Sequence, residues 1–180
     1  KKATRIIAVS QTTKKDLRDL FGVPAKKISV VYEAADTALL NLNDKKTNIR
    51  EAYDLPNKYL LYVGTVEPRK SLTSLIQGWQ RLTLMRPAAL KDAALVIAGG
   101  VWYKGEEVLE LLHTLHSPSI KYLGYIPHNH KVLLMKNATA FVFPTLYEGF
   151  GLPVLEAMQL GVPVISSDIS SIPEVTGTAA

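Results

Sequence analysis

The feature that most constrains this chain is an alternation of two patterns. Short apolar, often β-branched runs recur between stretches of helical periodicity. RIIAVS (5–10), ISVVYEA (28–34), YLLYVGT (59–65), ALVIAGG (94–100), IKYLGYI (120–126), TAFVFPT (139–145) and VPVISSD (162–168) read as strands. Several are apolar on consecutive positions, as expected for strands covered on both faces. In 71–85, Leu72, Leu75, Ile76, Trp79 and Leu82 fall at offsets 0, 3, 4, 7 and 10, which is one helix face. GEEVLELLHTLHS (105–117) places acids in its first turn and histidines in its last, matching the helix dipole. HKVLLMKNA (130–138) and PVLEAMQLG (153–161) complete the helices, the latter with Pro153 in its first turn and Gly161 at its end. The fold class is therefore α/β: a Rossmann-like, open, mostly parallel sheet with helices on both faces.

Residues 36–58 interrupt this rhythm; they are polar, rich in Asn, Asp and Lys, and read as a linker with a short helix at 47–53. SSIPEVTGTAA at the end reads as a helix barely begun, so elements beyond it are expected. A length of 180 residues suits one domain, or one domain with a piece of another. The absence of cysteine excludes disulfides, thiolate metal sites and a cysteine nucleophile, and is compatible with a reducing compartment. No apolar run approaches the roughly 20 residues that span a bilayer.

The net charge of +5 is unevenly spread. Residues 1–31 hold eight Lys or Arg against Asp16 and Asp19, while the other 149 residues are nearly neutral. A solvated helix face is the favoured reading; docking on an anionic surface, such as a membrane reached peripherally, is the alternative. Among these lysines the sole aromatic before Tyr32 is Phe21, which reads as core, so a nucleic-acid platform is not supported.

Open α/β sheets bind ligands at the carboxyl ends of their strands. Four special stretches fall there: TVEPRKS, Gly99-Gly100, GYIPH and LYEGFGLP. The helix after YEGFG is a natural anion site, because its first amides lack partners and its dipole is positive there. Gly149 and Gly151 permit close backbone approach or a positive φ, and Arg69 with Lys70 adds cations on the neighbouring loop. Glu148 and Glu156, eight positions apart, would repel a phosphate but accept well from vicinal hydroxyls. A diphosphate between two hydroxyl-bearing groups, that is a nucleotide sugar, fits this arrangement.

YEGFGLPVLEAMQLGVPVISSD resembles the E-x7-E signature of retaining glycosyltransferase family 4, whose members have the GT-B fold of two Rossmann-like domains. The resemblance extends through YVGTVEPRKSLTSLIQGW, LVIAGG, YLGYIPHNHKVLLMKNATAFVFPT and RIIAVSQTTKKDLRDLFGV to nearly the whole chain. It implies that residues 1–35 close an amino-terminal domain, 36–58 link, and 59–180 form a nucleotide-sugar donor domain. Glu148 would contact the donor sugar as the catalytic-site carboxylate. The amides of Gly149, Phe150, Gly151 and Leu152 would face sugar and diphosphate, alongside Thr65. Arg69 and Lys70 would hold the diphosphate, Glu156 the ribose, and Tyr125 and Ile126 would border the base. The resemblance further implies a hexose donor (the EPRK stretch points towards mannose), a saccharide or lipid-linked acceptor, polysaccharide biosynthesis, a cytoplasmic location and no cofactor or metal. Retention would proceed through an oxocarbenium-like state on one face or by double displacement. The expectation is weak nucleotide-sugar binding by this chain, without transfer by it alone. YEAAD stands where many members carry a glycine-containing turn.

A competing reading makes the chain a non-catalytic binding or assembly module with a basic docking segment. Loss of transfer on replacing Glu148 and Glu156 by Gln separates the two. A nucleotide-sugar epimerase or dehydrogenase is disfavoured, because Gly99-Gly100 is followed by Val101-Trp102 and completes no dinucleotide fingerprint. His113 and His116 lack a third metal ligand, and Ser166-Ser167-Asp168 lacks a nucleophile elbow, so both read as surface or loop.

Overall fold

The computed structural model describes residues 3–37 and 47–180. All seven expected strands form, in two parallel sheets. β1 (Ile6–Ala8) pairs with β2 (Ile28–Val30) in a two-stranded sheet. β3 (Lys58–Val63), β4 (Ala93–Ala98), β5 (Ile120–Gly124), β6 (Ala140–Phe143) and β7 (Val164–Ser166) form the second, in the order β5-β4-β3-β6-β7. Every neighbouring pair is parallel. Parallel pairing requires crossovers, and helices supply them: α3 (Leu72–Met85), α4 (Glu106–Leu115), α5 (His128–Asn137) and α6 (Leu152–Gln159). The strands buried on both faces are the continuously apolar ones; Leu95, Val96, Ile97 and Ala98 have no exposed surface.

Helix α5 departs from the amphipathic expectation. Val132, Leu133, Leu134 and Met135 are all buried, so four consecutive positions pack inward, while His128, Asn129 and Lys136 are exposed. The helix starts at His128, directly after Pro127, which takes an extended conformation at the cap. In α3, Leu72, Ile76 and Trp79 are buried as the stripe predicts, whereas Leu82 lies at the surface, 42% exposed.

Two further short helices bear on the boundaries. α2 (Ile49–Ala52) lies within the expected linker, of which 38–46 fall outside the described residues. Ile49 is buried in the core of the larger sheet, and Tyr53 bonds His130 on α5 at 2.7 Å. The last part of 36–58 is therefore a packed element of the five-stranded unit, not a free connection. α7 (Ile172–Thr176) closes the chain, with Ile172 buried behind Gly151.

The amino-terminal unit holds α1 (Gln11–Asp19), capped by Ser10, whose hydroxyl accepts from the Thr13 amide at 3.0 Å. No residue of α1 is buried, and Phe21, expected in the core, is 75% exposed. Two three-residue strands and one helix enclose too little volume to cover it. Among the described residues no helix is long and apolar enough to cross a membrane.

Candidate functional site

The carboxyl ends of β3 and β6 lie side by side, and the loops that leave them meet. After β3 the chain runs through Thr65 and Glu67 into a single 3-10 turn at Pro68–Lys70. After β6 it runs through Thr145 and Glu148 to Gly151, where α6 begins. The two loops are joined through the backbone: the Leu146 amide donates to the Arg69 carbonyl at 2.8 Å.

Glu148 is buried, and its carboxylate is the point on which both loops converge. Arg69 Nη1 donates to Oε2 at 3.0 Å, Lys70 Nζ forms an ion pair with Oε1, and the Thr145 hydroxyl lies 2.9 Å from Oε1. Lys70 is itself buried and sits 4.8 Å from the centre of the Phe143 ring, so an apolar wall and a carboxylate share its charge. Arg69 spreads its other donors over the Tyr147 carbonyl at 2.6 Å and Glu67 Oε1 at 2.8 Å; Thr65 hydroxyl also donates to that oxygen at 2.8 Å. Desolvation works against the Arg69 charge, but Glu148 and Glu67 overcome it and hold its pKa above the ordinary value. Burial, then the charges of Glu148 and Glu67, pushes the Tyr62 phenol beneath the site far up, so it stays neutral.

The loop backbone is pinned from behind by Ser170 and Ser171, which the sequence marks only as the start of the last helical stretch. Ser170 Oγ accepts from the Glu148 amide at 3.1 Å and donates to its carbonyl at 2.8 Å. Ser171 Oγ, fully buried, lies between the carbonyls of Glu148 (3.0 Å) and Phe150 (2.8 Å). With carbonyls turned back into the protein, the N–H groups of Gly149, Phe150 and Gly151 meet no protein acceptor among the described residues. Gly151 adopts φ +114°, and a Cβ there would stand 2.9 Å from Ile172 Cδ1. Gly149 does not use a positive φ, and a Cβ there would make ordinary contact with Val9.

Glu156 faces the other side of α6, where Lys131 on α5 donates to both of its oxygens at 2.8 Å. Lys131 went unrecognised in the sequence, being 25 positions away in a helix that read only as packing. Phe150 is buried, while Leu152 is 37% exposed. Tyr125, 85% exposed, and buried Ile126 follow β5, two strands from β3 on the same rim. Arg69, Lys70, Glu148 and Thr65 thus form one connected group. Glu156 lies one helix turn on, and Tyr125 and Ile126 stand apart along the rim. Among the described residues no cluster of His, Asp and Glu is arranged to hold a metal ion.

A parallel Rossmann-like sheet of order 5-4-3-6-7, approached from a separate βαβ unit, is about half of a GT-B fold. Solved structures share it. Anabaena HepE, crystallised with UDP and glucose, superposes with a TM-score of 0.80 at 20% identity, covering 96% of this chain and 46% of that one. Sucrose-phosphate synthase from Thermosynechococcus elongatus gives 0.75 at 23% identity, covering 97% and 44%. The chain belongs to the glycosyl transferases group 1, whose family pattern matches residues 43–179; residues 1–39 match the pattern described as Glycosyltransferase Family 4. Among relatives, O-antigen chain mannosyltransferase B of Escherichia coli is 35% identical over 98% of this chain and 46% of its own length. The serotype-specific mannosyltransferase WbdA of the same species is 30% identical, over 98% of this chain and 22% of its own length. The chain thus spans half or less of the relatives it matches.

Proposed function

We propose that this chain is the donor-binding part, with the end of the amino-terminal domain, of a retaining glycosyltransferase that moves a hexose from a nucleotide-diphosphate sugar to a saccharide or lipid-linked acceptor. Mannose is the sugar this reading favours, because the E. coli relatives are mannosyltransferases and the sequence carries EPRK. The observation that carries the proposal is the Glu148 junction. A buried carboxylate, ion-paired to Arg69 and Lys70, lies directly before a loop whose amides at 149–151 meet no protein acceptor among the described residues, at the start of α6.

In this reading each group has one role. The amides at 149–151 and the start of α6 receive the diphosphate, assisted by the remaining donors of Arg69 and Lys70. As the glycosidic bond to the leaving diphosphate lengthens, negative charge grows on its oxygen, and these fixed positive groups stabilise it without reorganising. No metal is needed for that task in this reading. Glu148 already accepts from two cations and a hydroxyl, so it acts as an oriented acceptor for donor-sugar hydroxyls. Lys131 supports Glu156 from below, leaving its outer lone pairs for the ribose diol. Thr65 holds Glu67, which in turn steadies Arg69. Tyr125 and Ile126 border the base.

Titration of the chain with UDP, GDP and ADP by calorimetry or NMR tests this. Binding of at least one nucleotide, weakened by Glu156→Gln, is the expected result. Silence with all three at millimolar concentration sinks the donor-site reading.

A further inference from the structure

Helix α1 lies across the loop that carries Glu148, and its contacts there belong to none of the roles above. The carboxylate of Glu174, on α7, accepts from the first amides of α1: Gln11 N at 2.7 Å and Thr12 N at 2.9 Å. The Thr12 hydroxyl lies 2.8 Å from Glu174 Oε1 and 3.0 Å from the Ser170 carbonyl. Ser10 takes the Thr13 amide at 3.0 Å, so the free donors at this helix start are filled by the protein itself. One turn of hydroxyls then reaches the loop. Ser10 Oγ donates to Thr13 Oγ1 at 3.0 Å, and Thr13 Oγ1 donates to the Gly149 carbonyl at 3.2 Å. Further along α1, Asp16 accepts from the Tyr147 hydroxyl at 2.5 Å, and the Tyr32 ring lies 6.0 Å from that of Phe150. The loop is therefore gripped from both sides: Ser170 and Ser171 hold the Glu148 and Phe150 carbonyls, and α1 holds Gly149 and Tyr147.

We propose that Glu174 is a positioning residue for the 147–151 loop. By anchoring the start of α1, it keeps Thr13 on the Gly149 carbonyl and so keeps the neighbouring amides turned outwards. Gly149 has no positive-φ constraint of its own, and its peptide orientation is set by what holds its carbonyl. The carboxylate that sets it stands 25 positions further along the chain, while the helix that transmits it lies at the opposite end of the sequence. The affinity consequence rests on the donor-site reading; the ordering of the loop does not.

Two variants separate this role from general stability. Glu174→Gln removes the charge and one amide acceptor, while Thr13→Val cuts the link to Gly149 and leaves Glu174 in place. Exchange of the Gln11 and Thr12 amides reports the anchor, and 15N relaxation at 148–151 reports the loop. In Glu174→Gln both change; in Thr13→Val only the loop does. Loop order parameters are expected to fall from about 0.85 towards about 0.6. UDP or GDP affinity falls about tenfold in either variant, with the thermal midpoint little moved. Unchanged loop order after the anchor is released overturns the proposal, as does an anchor that Glu174→Gln fails to release. If the unaltered chain binds no nucleotide, the donor-site reading fails alone, because the relaxation measurement still decides the positioning role.

Discussion

Lys70 and Glu148 are both buried, and neither is tolerable there without the other. Glu148→Ala would leave Lys70 as a buried charge with only an aromatic face for compensation, so a loss of about 3–5 kcal/mol is expected. Glu148→Gln keeps an acceptor for Thr145 and should lose less, about 1–2 kcal/mol. Urea denaturation of both variants checks the ordering. The two glycines of the loop should also part company. Gly151→Ala forces an L-residue to φ +114° against Ile172 and should cost about 1–3 kcal/mol. Gly149→Ala meets ordinary space, so its effect on stability should stay within about 0.5 kcal/mol, while nucleotide affinity still falls if ligand approaches that backbone. A parallel loss of stability in the two would contradict this account of the turn.

Among the elements, α1 and α7 have the pH dependence most open to measurement. Burial works to raise the Glu174 pKa, but the Gln11 and Thr12 amides and the Thr12 and Tyr32 hydroxyls outweigh it, leaving it below the ordinary glutamate value of 4.5. A carboxylate depressed in the folded state contributes stability above its unfolded pKa, and that contribution is lost as pH falls through the folded pKa. The α1–α7 contact is thus expected to hold at neutral pH and to loosen in the window below 4.5, read by exchange of the Gln11 and Thr12 amides. Glu174→Gln should abolish that dependence. Helix α5 should respond to volume instead: Leu134→Ala, in a fully buried position, is expected to cost about 2–5 kcal/mol by urea denaturation.

What was readable in advance follows the range of the interactions. Strands and helices are written in local periodicity, and the stretches from RIIAVS to VPVISSD appear in their expected places, somewhat shorter. The turn at Gly151 was visible because glycine and proline punctuate it. Lys131 beneath Glu156 was invisible, since nothing within α5 distinguishes a lysine aimed at a neighbouring helix from one in water. The anchor at Glu174 joins positions more than 160 apart, and no local pattern links residues so distant. Phe21 was misread as core because an aromatic beside leucine carries no mark of how much protein surrounds it.

At the scale of the whole molecule, charge is locally cancelled at the rim: Glu67, Glu148 and Glu156 are matched by Arg69, Lys70 and Lys131. Nucleotide binding should therefore depend only moderately on salt, and a strong salt dependence would point to the basic residues near α1 instead. A nucleotide bound to the folded chain at 100 times its dissociation constant should stabilise it by about 2.7 kcal/mol, seen as a raised thermal midpoint.

The strand order has a temporal consequence. β3 is central, yet its two neighbours come from very different distances along the chain: β4 begins at Ala93 and β6 at Ala140. During synthesis β3, β4 and β5 can assemble early, leaving the other edge of β3 bare until β6 emerges. That edge carries Leu60 and Leu61, the residues that later pair with Ala140 and Phe141. A chain arrested before β6 would present an apolar, unpaired strand, a template for association with its own copies. Truncations ending near residue 138 should aggregate, whereas those that retain β6 should not, which makes completion of the central pair the step that commits the polypeptide to remain in solution.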